Sequence, residues 1–308
     1  MAQTTYQSAG AGLLAHPKFW PTWIMIGLAW LISACGHSGR RRMGRFVGRH
    51  ANILFPRRAH IVKTNLMMCF PELADDEVSL RSEAVMASTT EGLLETGLAW
   101  LHPTRLSNLK VTFEGLAFLD RAPGDPGILI LGMHFATLDL AGALLAKERP
   151  FHVMYKTNRN PVLEWLMQRG RRHYYPSAID QNNIRQVIRY LKAGKAVWYA
   201  PDQDYGHRNA VFPPFFGQPA ATLTAANRMA RMTGARVVFM RHYRQSDGSY
   251  RVIIEPPMRP YPTTDDLQDA ALINQHVEQA VLEAPEQYWW VHRRFKSTPH
   301  GGSEKYLR

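Results

Sequence analysis

Cysteine is almost missing from this chain: Cys35 and Cys69 are the only two in 308 residues. Two thiols build neither a disulfide framework nor a metal-ligand pattern, and they suit a reducing compartment. Acidic residues are also short, 25 against 37 Lys and Arg, for a formal net charge of +12. A basic surplus of that size favours acidic partners: nucleic acid, anionic lipid or an acidic carrier protein. Zinc-finger spacing and the aromatic signature of ribonucleoprotein motifs are both absent, which leaves membrane or carrier. No Gly-x-Ser-x-Gly elbow and no Walker loop is present. A paper match to a dinucleotide fingerprint, Gly10-Ala-Gly12-Leu-Leu-Ala15, has no strand before it and is set aside. Repeats and low-complexity tracts are lacking too.

The chain is also short of long apolar runs. The best is FWPTWIMIGLAWLISAC over 19–35, uncharged, with Trp20, Trp23 and Trp30. It lies at the short end of the roughly 20 residues a spanning helix needs, although Leu13-Leu14 can lengthen it. Arg40, Arg41, Arg42, Arg45 and Arg49 follow at once, while Lys18 alone precedes. That bias keeps the downstream chain in the cytoplasm. The expected reading is an uncleaved membrane anchor over 1–39, followed by one domain over 40–308. A buried core helix is a second reading. A lipoprotein signal ending at Cys35 is a third, opposed by the arginines beyond it. The arginine segment is expected along an anionic leaflet.

Forty-five per cent hydrophobic residues are ample for a core. Amphipathic helical patterns cover 40–73 and 77–101. The period then changes: strands are expected at 109–114, 128–131, 151–155 and 196–200, with helices at 138–147, 161–171 and 183–191 between them. Alternation of this kind implies an α/β layer structure, here a central mixed β-sheet flanked by helices. Strands at 236–243 and 249–255 flank an Asp247-Gly248 turn. A last helix over 267–282 leads into the aromatic and basic tail EQYWWVHRRFK.

The stretch GILILGMHFATLDL carries the chemistry. His134 stands at the exit of the apolar strand 128–131, and Asp139 comes five residues later as a helix begins. A histidine with a carboxylate holding its tautomer can take a proton from an alcohol. Spacing alone proves little, since His242 and Asp247 share it within a hairpin. Five residues on a regular helix are about 140° apart, so the two can meet only if His134 precedes the helix and folds back over its first turn. Asp202-x-Asp204, after the strand at 196–200, offers a different chemistry. Two hard carboxylates there can hold a divalent cation, as in a metal-dependent glycosyltransferase acting on a lipid acceptor. They can equally cap a loop or pair with arginines. A third possibility is a non-catalytic protein that binds anionic lipid.

Several ordered blocks narrow this choice: Asn65-Leu66 with CFPE, GMHFATLD, Asn160-Pro161 with Glu164-Trp165 and Gly170-Arg171, WYAPDQDYG, Phe215-Phe216-Gly217 with Ala221-Thr222, and the tail. Together they resemble the late lipid A acyltransferases of Gram-negative bacteria, the lauroyl/myristoyl class of the lysophospholipid acyltransferase superfamily, over nearly the whole chain. The resemblance implies a glycerolipid-acyltransferase-like sheet and an enzyme on the cytoplasmic face of the inner membrane. It implies acyl transfer from acyl carrier protein to the 3-hydroxyl of a chain already on a lipid A precursor, with no cofactor and no metal. His134 would be the general base and Asp139 its orienting partner, standing where many relatives have Glu. Arg171 would contact the transition state or a phosphate. Asp202 and Asp204 match a family block of less evident role, and Lys156, Arg159 and Asn160 are weaker substrate-binding candidates. Arg40–Arg42, Arg169–Arg172 and Arg293-Arg294-Lys296 are the clusters expected to meet the acidic carrier and the lipid phosphates.

Overall fold

The computed structural model describes residues 12, 16–302 and 304–306. Leu13-Leu14 and most of the discarded fingerprint fall outside them. Four longer helices come first among the described residues, with a single helical turn at Ala51–Leu54 between the second and third: α1 (Trp20–Ser33), α2 (His37–Arg49), α3 (Pro56–Cys69) and α4 (Asp75–Leu101). The pattern over 40–73 is thus broken, most plainly before Pro56, whose ring cannot continue the preceding turn. The alternating part follows: β1 (Val111–Glu114), β2 (Ile128–Leu131), α5 (Leu138–Glu148), β3 (His152–Tyr155), α6 (Pro161–Arg171), β4 (Ala178–Asp180), α7 (Ile184–Lys192) and β5 (Ala196–Tyr199). Helix α8 (Ala225–Thr233), strands β6 (Arg236–Arg244) and β7 (Tyr250–Ile254), and helix α9 (Asp266–Glu283) complete the frame.

Seven strands form one mixed sheet in the order β1-β7-β6-β2-β5-β3-β4. The run β6-β2-β5-β3-β4 is parallel, while β7 is antiparallel to β6 and parallel to β1. Helices cover both faces, so the central strand β2 is buried along its whole length. This is why it reads as an unbroken apolar run rather than an alternating one. Leu129 and Leu131 join the core on one face, with Val197 and Phe239. Ile128 and Ile130 join the other, with Leu145 and Trp198.

The pairing of β2 with β5 sets the position of everything that follows. Leu131 lies opposite Tyr199, and the Gly132 N–H donates to the Tyr199 carbonyl at 3.0 Å, extending the ladder past the strand ends. His134 and Asp202 are each three residues beyond that matched pair. In a parallel sheet the crevice beyond the carboxyl ends of the strands is where ligands bind.

The helix expected over 19–35 forms as α1, but it is only 14 residues long. At 1.5 Å per residue it reaches about 21 Å, short of a hydrocarbon core of about 30 Å. No helix among the described residues is long and apolar enough to cross a membrane, which corrects the expectation of a transmembrane segment. Instead α1 lies against the domain. Trp23 meets Trp165 edge-on at 5.7 Å, the Thr22 hydroxyl accepts from Asn160 at 2.9 Å, and Arg105 donates to the Ala34 carbonyl at 2.6 Å. Its outer face leaves Trp20, Ile24, Leu28 and Leu31 more than half exposed.

Candidate active site

His134 sits in a loop pinned from three sides. Its carbonyl accepts from the Trp289 N–H at 2.9 Å, and the Ala136 N–H donates to the Gln287 carbonyl at 2.7 Å. The aromatic tail therefore runs antiparallel to residues 134–136, with Phe135 bridged to Tyr288. Helix α4 presses on the loop from above. A Cβ on Gly92 would lie 2.3 Å from the Ala136 carbonyl oxygen, so only glycine allows that approach. Behind the loop, Thr137 and His242 bond through Oγ1 and Nδ1 at 2.8 Å in a fully buried pair. Burial, together with the positive charge of nearby His134, lowers the His242 pKa to about 4, although a hydrogen bond at Met133 opposes the shift. His242 is therefore neutral.

The carboxylate on the His134 ring is Asp202. Its Oδ1 stands 2.6 Å from Nδ1, and its Oδ2 accepts the His134 backbone N–H at 2.8 Å. One buried carboxylate thus fixes both the ring and the main chain of the same residue. Asp139, expected in that place, instead faces Arg171, with Oδ1 at 3.7 Å from Nη2, and accepts from the Thr96 hydroxyl at 3.5 Å. The physical reason is the geometry noted from sequence. Asp139 is the second residue of α5, and the ring of His134 swings toward the neighbouring strand rather than back over the helix.

Burial disfavours a charged imidazole at His134, but the charge and hydrogen bond of Asp202, with the charge of Asp139 added, outweigh it and raise the pKa above 6.5. Burial likewise resists charge on Asp202. There the His134 ring and N–H, aided by Arg294, win and hold the carboxyl below its usual range. Asp202 keeps the proton on Nδ1, leaving the Nε2 lone pair, which carries no hydrogen bond to a described residue, as a strengthened base.

The other expected residues separate into distinct roles. Asp204 is buried and faces away from His134. It accepts from the Ser297 N–H at 2.8 Å, the Ser297 hydroxyl at 3.0 Å and the Gly206 N–H at 2.8 Å, tying the tail to its own loop. The two aspartates therefore do not converge. Among the described residues, no group of three or more His, Cys, Asp or Glu side chains is arranged to hold a metal ion. Asn160 caps α6, accepting from Val162 N at 3.0 Å. Lys156 lies over the Tyr205 ring at 5.8 Å, and Arg159 is exposed. Arg171 stacks against Tyr155 and Trp100, at 5.0 and 5.7 Å.

Two expected basic clusters are split by burial. Arg40 turns inward and donates to the Cys35 carbonyl at 2.7 Å, while Arg41, Arg42 and Arg45 remain exposed. Arg294 is buried, donating to the Ala221 carbonyl at 2.7 Å and the Thr222 hydroxyl at 3.0 Å, and so cannot meet a carrier. Trp290 is buried too, its indole N–H on the Pro285 carbonyl at 2.7 Å. Asn65 was missed as a supporting residue. Its amide donates to the Trp290 and His292 carbonyls at 2.7 and 2.8 Å, holding the tail against the site. The sequence signal was its place in the Asn65-Leu66 block.

Known proteins resemble this chain along almost all of its length. The lipid A biosynthesis lauroyltransferase of Escherichia coli is 38% identical over 95% of this chain and 97% of its own. The palmitoleoyltransferase of the same organism is 36% identical over 95% and 96%, and the myristoyltransferase 28% over 95% and 92%. Among solved structures, the 1-acyl-sn-glycerophosphate acyltransferase PlsC of Thermotoga maritima aligns over 85% of this chain and 97% of that one, with a TM-score of 0.39 and 15% identity. Residues 9–297 match the family model for bacterial lipid A biosynthesis acyltransferases, and with relatives this similar along almost the entire chain, the protein belongs to that family.

Proposed function

We propose that this enzyme moves a fatty acyl chain from an acyl carrier protein thioester to the 3-hydroxyl of an acyl chain on a lipid A precursor, with His134 as general base. The observation that carries the reading is the double grip of Asp202 on His134, which leaves Nε2 free beside the ends of the parallel strands. An alcohol is too weak an acid to attack a thioester unaided. Nε2 takes its proton as the carbon–oxygen bond forms, and the imidazolium is steadied by Asp202. The carbon–sulfur bond then breaks, and the proton passes to the departing carrier thiolate. Negative charge on the thioester oxygen needs preorganised donors, worth a few kcal/mol. The Arg171 guanidinium is the donor we assign. The acyltransfer itself requires no cofactor and no metal.

The enzyme works at the cytoplasmic face of the inner membrane, held there by α1 and α2 lying in the interface rather than by a span. The apolar outer face of α1 and the exposed Phe46, Arg41, Arg42 and Arg45 of α2 support this reading, because such a pairing binds anionic lipid through both apolar burial and charge. The acidic carrier protein meets the remaining exposed basic surface, of which Arg169, Arg172 and Arg293 are members. The test is reconstitution. Purified enzyme, a carrier-bound acyl donor and a lipid A precursor should yield a product heavier by one acyl unit, in the presence of EDTA. Product that forms only when divalent cations are supplied would return the glycosyltransferase reading.

A further inference from the structure

The basic surplus of this chain is concentrated where acids are missing altogether. The first Asp or Glu is Glu72, whereas seven arginines stand between Arg40 and Arg58. Inside that run lies an apolar triplet, Ile53-Leu54-Phe55, on the helical turn Ala51–Leu54 and the residue after it. Ile53 is 79% exposed, the highest of any large apolar side chain among the described residues, and Leu54 and Phe55 are nearly half exposed. We propose that this turn is a second membrane contact. Ile53, Leu54 and Phe55 insert among the acyl chains of an anionic bilayer, while Arg49 and Arg57 on either side meet lipid phosphates. The inference rests on the reading that the enzyme works at the inner membrane, and adds a contact that neither α1 nor α2 supplies.

The docking of α2 decides which way the turn points. Gly44 and Gly48 lie against α4, where a Cβ would come within 2.6 Å of the Ala87 carbonyl oxygen and 2.5 Å of the Glu83 carbonyl oxygen. Four residues apart, the two glycines mark the inward face of α2. Arg42, Phe46 and Arg49 fall on the opposite face, and all three are exposed. Ala51 then seats the turn in the core, which leaves the residues after it outside. Three bulky apolar side chains held in water are unfavourable, and a contiguous patch of them marks a contact surface. The backbone suits an apolar surrounding. The N–H groups of Ile53 and Leu54 donate to the His50 carbonyl at 3.0 and 2.9 Å, and that of Phe55 to the Ala51 carbonyl at 2.8 Å. Pro56 has no N–H to lose. A turn with its donors closed internally enters a low-dielectric layer without stranding them. Charge then selects the occupant. A second copy of this chain would set arginine against arginine, and an acidic protein surface answers the charge without the apolar triplet. An anionic bilayer offers phosphate and hydrocarbon together.

Site-directed labelling of the full-length enzyme tests the assignment. Ile53→Cys in a Cys35→Ser background takes a polarity-sensitive fluorophore, since the remaining thiol, Cys69, is buried. Lys192→Cys in the same background, exposed at the end of α7, is the control. On vesicles of phosphatidylethanolamine and phosphatidylglycerol, the label at position 53 should shift to the blue and be quenched by lipids with a nitroxide deep in the acyl chain. The label at position 192 should do neither. Ile53→Ser combined with Phe55→Ser should weaken partition onto these vesicles about tenfold or more, with an unchanged Tm. Arg49→Gln with Arg57→Gln should weaken it about thirtyfold, and leave partition onto phosphatidylcholine vesicles as it was. The inference is overturned if the label at position 53 stays in water on vesicle-bound enzyme; α1 and α2 would then hold the protein, and the wider membrane reading would survive. Enzyme that binds no vesicle at all would defeat both. The inference also falls if the serine pair partitions like the parent, and a concurrent loss of carrier binding or of self-association would assign the turn to a protein partner instead.

Discussion

Replacing Asp202 by asparagine removes one charge and almost no volume, yet it should cripple the enzyme for a reason visible in two distances. Both carboxylate oxygens are acceptors, one for Nδ1–H of His134 at 2.6 Å and one for its backbone N–H at 2.8 Å. An amide has a single acceptor. If its oxygen keeps the main-chain bond, the amide NH₂ faces Nδ1, which must then become the acceptor and send the ring proton to Nε2, the wrong tautomer. If the oxygen faces Nδ1, two donors collide at the backbone. Loss of the correct tautomer in a comparable triad costs about 10⁴ in kcat. The lost charged hydrogen bond costs about 2 kcal/mol of stability, so the variant stays folded. The pH profile should move as well. Activity needs neutral His134, whose pKa is raised by Asp202, so the acid limb of the parent lies above 6.5 and should shift down in the variant. Stability runs the other way. The raised His134 contributes fully below its unfolded value and loses this as pH rises through its folded one, while the lowered Asp202 contributes above its unfolded value and loses it on acidification. The pair therefore stabilises most between about pH 4 and 6.5. The assay is initial rate of acyl transfer in micelles from pH 5 to 9, with melting curves alongside. A folded Asp202→Asn enzyme at parental rate, with an unmoved acid limb, would refute the reasoning.

Three further outcomes are expected. Gly92→Ala drives a methyl into the Ala136 carbonyl, which costs about 1–3 kcal/mol of overpacking; kcat should fall with stability because the displaced loop carries His134, and an unchanged Tm would contradict the packing. Arg294→Met strands the Ala221 carbonyl and the Thr222 hydroxyl in the core, so scanning calorimetry should show Tm lowered by roughly 5–10 °C for a loss of about 3 kcal/mol; weakened carrier binding with normal stability would mean the residue is a docking group after all. Arg42→Gln with Arg45→Gln should weaken sedimentation with anionic vesicles about thirtyfold, at about 1 kcal/mol per arginine, and leave neutral vesicles unaffected.

Much of the frame was legible because periodicity is local. Strand β2 and helix α6 occupy the residues that the pattern marked, and the other expected strands and helices shift only by a residue or two, except the pattern over 40–73, which is split into separate helices. Strand β4 was invisible, since Ala178–Asp180 is too short to show a period, and α8 lay in a polar stretch without a clear stripe. The carboxylate hydrogen-bonded to the His134 ring is Asp202 rather than Asp139 for a topological reason. The strand after β2 in sequence is β3, but the strand beside it in space is β5, and only that adjacency puts Asp202 level with His134. Five-residue proximity favoured Asp139, and nothing local could reveal a match made across 68 positions. The tail failed for a related reason. An aromatic and basic run looks alike at a membrane surface and in a core, and the burial of Trp290 and Arg294 depends on acceptors contributed by Pro285, Ala221 and Thr222. The apolar run at 19–35 announced a helix, though not that it would stop at Ser33 and lie against the domain.

The most direct test of the central assignment is the mass of lipid A from cells lacking this gene and supplied with either the parent or His134→Ala. The account predicts that the parent restores one acyl unit and that His134→Ala, present at equal abundance and equally resistant to proteolysis, restores none. Lipid A carrying the added acyl unit from the alanine variant would show that the proton leaves by another route.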